Sequence, residues 1–376
     1  MRDTILMTCG TSLIGNAGRA IGKELASSPD SLLRWLRTLD VSDKSCGAEI
    51  NGLACMIEEL PDTLDPIEVI LYVSDTDDGI LVGKVLETVI PEKFDVSKVK
   101  LVRIEGLNPK HPDTFRRRGL RNLVMRLADD VKQKGRPRCI INATGGFKVE
   151  VGLAQELASA VGIPSYYKFE FSSKGMLVPP MPVGLDIGLW LRLNKSMESL
   201  ENEPLRKRDL DKLMEPICDE HDRERFLMLL EDVPLEKGDR LYDISALGEL
   251  FRVLARNAFW EREVDFMPPP VSPDEKAEKV QHSNSEEHLL HFEARHGIGE
   301  KLLEIPFVSK VRSHYYKKSG WTMNRCHVKD RSEKELEVEW GNDMGLIKYI
   351  LTVPKARGEE QLQAASLHIS EKLKTL

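Results

Sequence analysis

"NATGGFKVEVGLAQELASAVGIPSYYKFE", residues 142–170, holds a glycine loop, a helical pattern and an apolar run in one short span. Arg138–Ile141 precedes it as a short strand, Phe147–Val161 has helical character, and Ser165–Phe169 reads as the next strand. Strand, helix and strand in that order form the unit of a parallel sheet. The pattern recurs toward the N-terminus. Thr4–Met7, Ile67–Val73 and Val99–Ile104 are short apolar runs, separated by helical patterns such as Gly79–Val89 and Asp113–Lys132. The first 183 residues are therefore predicted to form an α/β, doubly wound parallel sheet, which takes ligands at the carboxyl ends of its strands.

Three of those strand ends carry unusual loops. "TCGTSLIGNAG" (8–18) offers hydroxyls and three glycines, "SDTDDG" (74–79) can cap the following helix, and "NATGGFK" (142–148) contains Gly145 and Gly146 with Lys148 opening a helix. Taken singly, each is a tight strand-to-helix turn. Three at one sheet edge point to a site, because small hydroxyl-bearing loops and helix N-termini hold phosphate. Neither GxxxxGK[ST] nor GxGxxG occurs, so this is not a P-loop or a dinucleotide fingerprint.

Composition bounds the rest. The chain has 376 residues, enough for two or three domains, with 41% apolar and 31% charged residues and a net charge of −7. No apolar run reaches the roughly 18 residues that span a bilayer, and the N-terminus shows no signal-peptide cleavage pattern, so a cytoplasmic protein with no membrane association is expected. Six cysteines (9, 46, 55, 139, 218 and 326) lie scattered without a CxxC, which implies reduced, mostly buried thiols and no zinc site. Charge is unevenly spread: residues 196–240 carry 14 acids against 8 bases, and residues 295–357 carry 13 bases against 8 acids. A local basic field therefore survives the acidic balance.

"TCGTSLIGN", "SDTDDGILVG", the 142–170 stretch and then "LVPPMPV" (177–183) together resemble the CARF domain of CRISPR-associated proteins. The resemblance implies a Rossmann-like sensor over residues 1–183 that forms a homodimer and binds cyclic oligoadenylate across the two-fold axis, cyclic tetra-adenylate first among the ring sizes, with no other cofactor. Carried onto this chain, the ligand contacts would be Thr8, Gly10, Thr11 and Ser12, then Asp75 and Thr76 at the rim, and Thr144, Gly145, Gly146 and Lys148. Asn142 or Ser12 could meet a ribose or an adenine edge.

Residues 184–265 read as helices, with Phe226, Leu227, Leu229 and Leu230 as an apolar stripe; they resemble the winged-helix linker that follows CARF domains. Residues 266–287, with four prolines, read as a flexible or extended linker. From residue 288, "HLLHFEAR" suits a strand and "GEKLLEIPFVSKVRSHYYKKSG" one or two helices. "NRCHVKD", "KELEVEW" and "LIKYILTV" suit antiparallel strands before a last amphipathic helix. Leu336, Val338 and Trp340 alternate with Glu335, Glu337 and Glu339, the pattern of a half-buried strand.

In "NRCHVKDR" (324–331), Arg325, His327, Lys329 and Arg331 occupy every second position and would share one strand face. The plain reading is an edge strand defended by charge; the sharper one is a grip on a polyanion. This small C-terminal α+β module (288–376) resembles the RelE family of toxin ribonucleases, which cut messenger RNA in the ribosomal A site without metal. That resemblance implies messenger RNA and the ribosome as partners and 2′-hydroxyl attack as the chemistry, with Lys348, Lys355 and Arg357 completing the basic cluster and His327 or Tyr349 moving protons. Three alternatives stand beside it. A HEPN ribonuclease needs R-x(4–6)-H, and Arg295–His296 and Arg312–His314 are misspaced. A metal-dependent PD-(D/E)xK nuclease would use Glu335, Glu337 and Glu339, but the ExK carboxylate is missing from the next strand. A ligand-gated transcriptional regulator would need DNA contacts from the acidic middle segment.

Overall fold

The structure is a computed structural model that describes residues 2–60, 67–169, 172, 174–181, 184–200, 203–217, 219–234, 240–282, 287–317 and 323–375. It divides into two compact units, Met1–Leu185 with Ser196–Ala255, and Asp186–Lys195 with Arg256–Leu376.

The first unit is built on a six-stranded sheet: β1 (Thr4–Thr8), β2 (Glu68–Val73), β3 (Lys98–Arg103), β4 (Cys139–Asn142), β5 (Ser165–Lys168) and β6 (Gly175–Val178). The order is β3-β2-β1-β4-β5-β6. The first five strands are mutually parallel, and β6 returns antiparallel on β5. β1 to β5 fall on the predicted apolar runs. The continuous hydrophobicity of the central strands β1, β2 and β4 follows from burial on both faces, whereas the edge strand β3 has no buried residue. Ile5 and Met7 join a core with Leu13, Leu53 and Val85, whereas Leu6 faces the opposite core with Leu127 and Leu157. The chain steps from β1 to β2 and β3 on one side and then to β4 on the other, so the topological switch lies between β1 and β4.

The rest of this unit departs from the all-helical reading of residues 184–265. A three-stranded sheet, β7 (Leu205–Arg206), β8 (Leu230–Pro234) and β9 (Arg240–Ile244) in the order β7-β9-β8, sits among its helices. These strands are too short and too charged to show period-two alternation. The apolar stripe also breaks up. Phe226 is buried, Leu227 is 42% exposed, and Leu230 already belongs to β8. Arg116 pairs with Glu231 at 3.2 Å and Arg117 with Asp243 at 3.3 Å, fastening this small sheet to the helical segment that follows β3.

The second unit carries a five-stranded sheet of β10 (Gln281–His282), β11 (Lys310–Lys317), β12 (Met323–Asp330), β13 (Glu335–Asn342) and β14 (Gly345–Thr352), in the order β10-β11-β14-β13-β12. β10 is parallel to β11; the remaining pairs are antiparallel. Two expectations reverse here. "HLLHFEAR" lies in the helix Glu287–His296, and most of "VSKVRSHYYKK" forms strand β11 after the short helix Ile298–Leu303. Short apolar runs do not separate helix from strand by periodicity. Burial of Val311 and Ser313 between the less buried Arg312 and His314 shows the strand period only once the partner β14 is present. The proline-rich segment is extended but packed: Val271 and Val280 are buried, and the Val271 and Ala277 N–H groups donate to Pro306 and Ser309 carbonyls at 2.9 and 2.8 Å. Residues 283–286 of that expected linker lie outside the described residues.

One face of the second sheet is apolar. Leu336, Val338, Tyr349 and Leu351 pack on Leu362, Ala365 and Ile369 of the closing helix Glu359–Leu373. No helix among the described residues is long and apolar enough to cross a membrane. Cys9, Cys46, Cys139 and Cys326 are buried free thiols; Cys218 lies outside the described residues.

Candidate functional site

The loops after β1 and β4 meet at the switch point. Pairing of Met7 with Asn142 sets both strand ends level, so the two loops leave the sheet side by side. They line a cleft of about 650 Å³ with Gly10, Thr11 and Ser12 on one side and Thr144, Gly145, Gly146 and Lys148 on the other. Two helices, Ser12–Ile21 and Lys148–Val161, begin at this cleft, so their unpaired N–H groups and dipoles favour an anion there.

The floor is a set of interlocking bonds. The Thr8 hydroxyl donates to the Gly145 carbonyl at 2.5 Å, the Gly10 N–H donates to Glu49 Oε1 at 2.7 Å, and the Phe147 N–H donates to Glu150 Oε2 at 3.1 Å. Gly145 is required by close approach, since a Cβ there would stand 2.3 Å from Glu49 Oε1. Gly146 is required by its backbone, with φ +106°. Burial pushes the Glu49 carboxyl up against the lowering effect of the Gly10 N–H, and burial raises Glu150 to about 7 despite the Phe147 N–H.

Seven of the eleven expected ligand residues line the cleft. The other four do not, for identifiable reasons. Thr8 is 1% exposed and spends its hydroxyl on Gly145. Asn142 is fully buried, its Oδ1 accepting from the Thr144 N–H at 3.1 Å, so it shapes the loop from below. Asp75 accepts from the Gly106 N–H at 2.9 Å and pairs with Arg103, interactions that hold its carboxyl below the usual range. Thr76 caps the helix Asp77–Lys93 through the Gly79 N–H at 2.9 Å. The sequence reading missed Arg19, Lys44 and Lys168, which with Lys148 make the lining cationic. Lys168 closes β5, a strand end beside the switch, and was legible on that ground. Lys44 opens the short helical turn Lys44–Cys46, which only the fold brings to the cleft.

In the second unit, the open sheet face is charged throughout. Arg325, His327 and Lys329 do share one face of β12, but Arg331 falls in the turn beyond it and pairs with Glu359 at 2.6 Å. β12 is an edge strand; Arg325 and His327 stand opposite Glu339 and Glu337 of β13, and Lys329 falls at a bulge before Asp330, which stands opposite Glu335. Arg325 pairs with Glu339, His327 lies 3.5 Å from Glu337, and Lys329 lies 3.5 Å from Glu335. Lys348 reaches this face from β14, pairing with Glu339 and standing 3.5 Å from Glu337. Its bond to Glu339 raises Lys348. Burial pushes Glu339 up, but Arg325 and Lys348 outweigh it and hold the carboxyl below its ordinary value. Lys355 and Arg357 lie past the end of β14, Lys355 paired with Glu275 at 2.8 Å. Tyr349, expected as a proton carrier, is fully buried on the apolar face and donates to Glu293. The basic row is thus interleaved with carboxylates. His314, which the sequence reading set aside as misspaced, joins the face by contacting Glu337 at 2.9 Å.

Residues 44–181, which contain most of the cleft lining, match the CRISPR-associated protein family Cas_APE2256. A comparison with curated proteins finds no match. Among solved structures, Can2 from Sulfobacillus thermosulfidooxidans in complex with cyclic tetra-adenylate (cA4) is similar at 10% sequence identity and a TM-score of 0.24, over 70% of this chain. The present chain spans 65% of the Can2 chain.

Proposed function

We propose that the chain is a cyclic-oligoadenylate-activated endoribonuclease of type III CRISPR defence. The first unit senses the ring, cyclic tetra-adenylate in the first instance, and the charged face of the second unit cleaves messenger RNA on the ribosome by metal-independent 2′-hydroxyl attack. The observation that carries the sensor is the cleft at the β1–β4 switch. It combines two helix N-termini, glycine loops and four cationic side chains, and Lys44, Lys148, Lys168 and the Lys148–Val161 helix lie in the segment that matches a CRISPR-associated family. A ring with two-fold symmetry asks for a two-fold site, which an isologous dimer supplies. Exposed Met176, Leu177 and Phe169 around the edge strand β6 favour such a dimer.

The effector reading rests on the antiparallel face that carries Arg325, Lys329 and Lys348, cations paired with β13 carboxylates that a phosphate would have to compete with. A metal-dependent nuclease is the second reading, favoured by Glu337 and Glu339 standing beside Lys348. Calorimetry with cyclic tetra-adenylate and cyclic hexa-adenylate tests the sensor, and no binding of either ring overturns it. Cleavage of messenger RNA on translating ribosomes, with ring present and EDTA added, separates the effectors. Activity that survives the chelator supports metal-free attack, and activity abolished by it supports the metal nuclease.

A further inference from the structure

Glu337 is the hub of the second unit's open face. Its side chain is only 14% exposed, and His314 Nε2 stands 2.9 Å from its Oε2 while His327 Nε2 stands 3.5 Å from its Oε1. The two imidazoles come from different strands, β11 and β12, on opposite sides of the carboxylate. A carboxylate that accepts from Nε2–H fixes the tautomer of a ring and leaves Nδ1 for a substrate. Around the pair stand Arg312, Arg325, Lys329 and Lys348, four permanent cations against the three carboxylates Glu335, Glu337 and Glu339.

We infer that His314 and His327 are a paired acid and base for RNA cleavage, with Glu337, hydrogen-bonded to His314 and 3.5 Å from His327, as the positioning residue between the two rings. This rests on the ribonuclease reading and deepens it. His327 Nδ1 takes the proton from a ribose 2′-hydroxyl as O2′ attacks the adjacent phosphorus. The O2′–P bond forms and the P–O5′ bond breaks. The His314 imidazolium gives its proton to O5′. The products are a 2′,3′-cyclic phosphate and a 5′-hydroxyl, with Arg325 and Lys348 placed to meet the charge that builds on the phosphoryl oxygens. Burial, Lys195 and Arg325 lower His327 against the pull of Glu337 and Glu339, which suits a base that must be neutral near pH 7. His314 contacts Glu337, which Lys348 of β14 also approaches at 3.5 Å.

The test uses the full chain with cyclic tetra-adenylate, messenger RNA on translating ribosomes and free RNA in parallel, and single-turnover rates from pH 5 to 9. His314→Ala and His327→Ala should each lose at least about a hundredfold in rate. Wild type should show a bell-shaped profile, with the acid limb missing in His327→Ala and the basic limb missing in His314→Ala. Added imidazole should restore part of the His327→Ala rate, which a merely structural defect would not allow. Glu337→Gln should shift both limbs. Either histidine variant cleaving within about threefold of wild type, or products bearing 5′-phosphate ends, overturns the assignment. Wild type that binds the ring and cleaves no RNA overturns the ribonuclease reading itself, an outcome visible before any variant is made.

Discussion

Lys148 sits at the first position of its helix with its side chain exposed on the cleft, so its ammonium is available to a ligand phosphate. Lys148→Ala should weaken ring binding by about 1.5–3 kcal/mol, the scale of a charge-assisted hydrogen bond, and calorimetry at fixed salt reads it directly. Unchanged affinity would place the phosphate elsewhere. Glu150 behaves differently because it is 2% exposed. Its carboxyl is raised from 4.5 to about 7, so the folded chain favours the protonated form. Stability from this group is therefore full below the ordinary carboxyl range and is lost as pH rises through about 7. Glu150→Gln keeps an acceptor for the Phe147 N–H and cannot ionise. In urea unfolding, its stability relative to wild type should improve by about 2–3 kcal/mol between pH 5 and pH 8. A constant difference across that range would contradict the buried-acid account.

Among the elements, β12 decides how the basic row is to be understood. Its alternation was readable from "NRCHVKDR", because strand side chains must alternate. That Glu339 and Glu337 on β13 stand opposite Arg325 and His327 was not, because register depends on the turn and on which strands pair. Arg325 and Lys329, on the same face, have separable consequences. Arg325→Ala leaves the nearly buried Glu339 with Lys348 as its remaining cation on this face and should cost about 1–2 kcal/mol of stability. Lys329→Ala removes an exposed pair and should change stability by no more than about 0.5 kcal/mol. If the row also holds RNA, both variants should slow cleavage at least tenfold, about 1.4 kcal/mol in the barrier, while ring affinity stays intact. Wild-type cleavage by Lys329→Ala would return the row to a charged edge that prevents strand pairing.

For the whole molecule, the proposal is that occupancy of the cleft sets the rate at the second unit's face. A ligand shifts a distant equilibrium only through different affinity for two conformations. Cleavage by the full chain should therefore be low without the ring and rise at least tenfold at saturation, a bias of about 1.4 kcal/mol or more between states. Matched time courses with and without cyclic tetra-adenylate measure it, and equal rates would sever sensor from effector.

Read alone, the sequence determined strands β1 to β5 of the first unit and the loops that end them. Apolar runs buried on both faces, glycine-rich turns and helical spacing are local properties, and each was visible in the span 142–170 or its counterparts. It also placed Gly145, Gly146 and Lys148 at a strand end, where they line the cleft. Tertiary structure alone decided what lies beneath and across from those residues. Glu49 and Glu150 are two glutamates among many until packing drives them under the glycine loops, where burial and not sequence spacing gives them their character. Likewise β11 was read as helix, and the approach of its His314 to Glu337 needed strand pairing across β14. Long-range register and desolvation are properties of the assembled chain, and no local window of residues contains them.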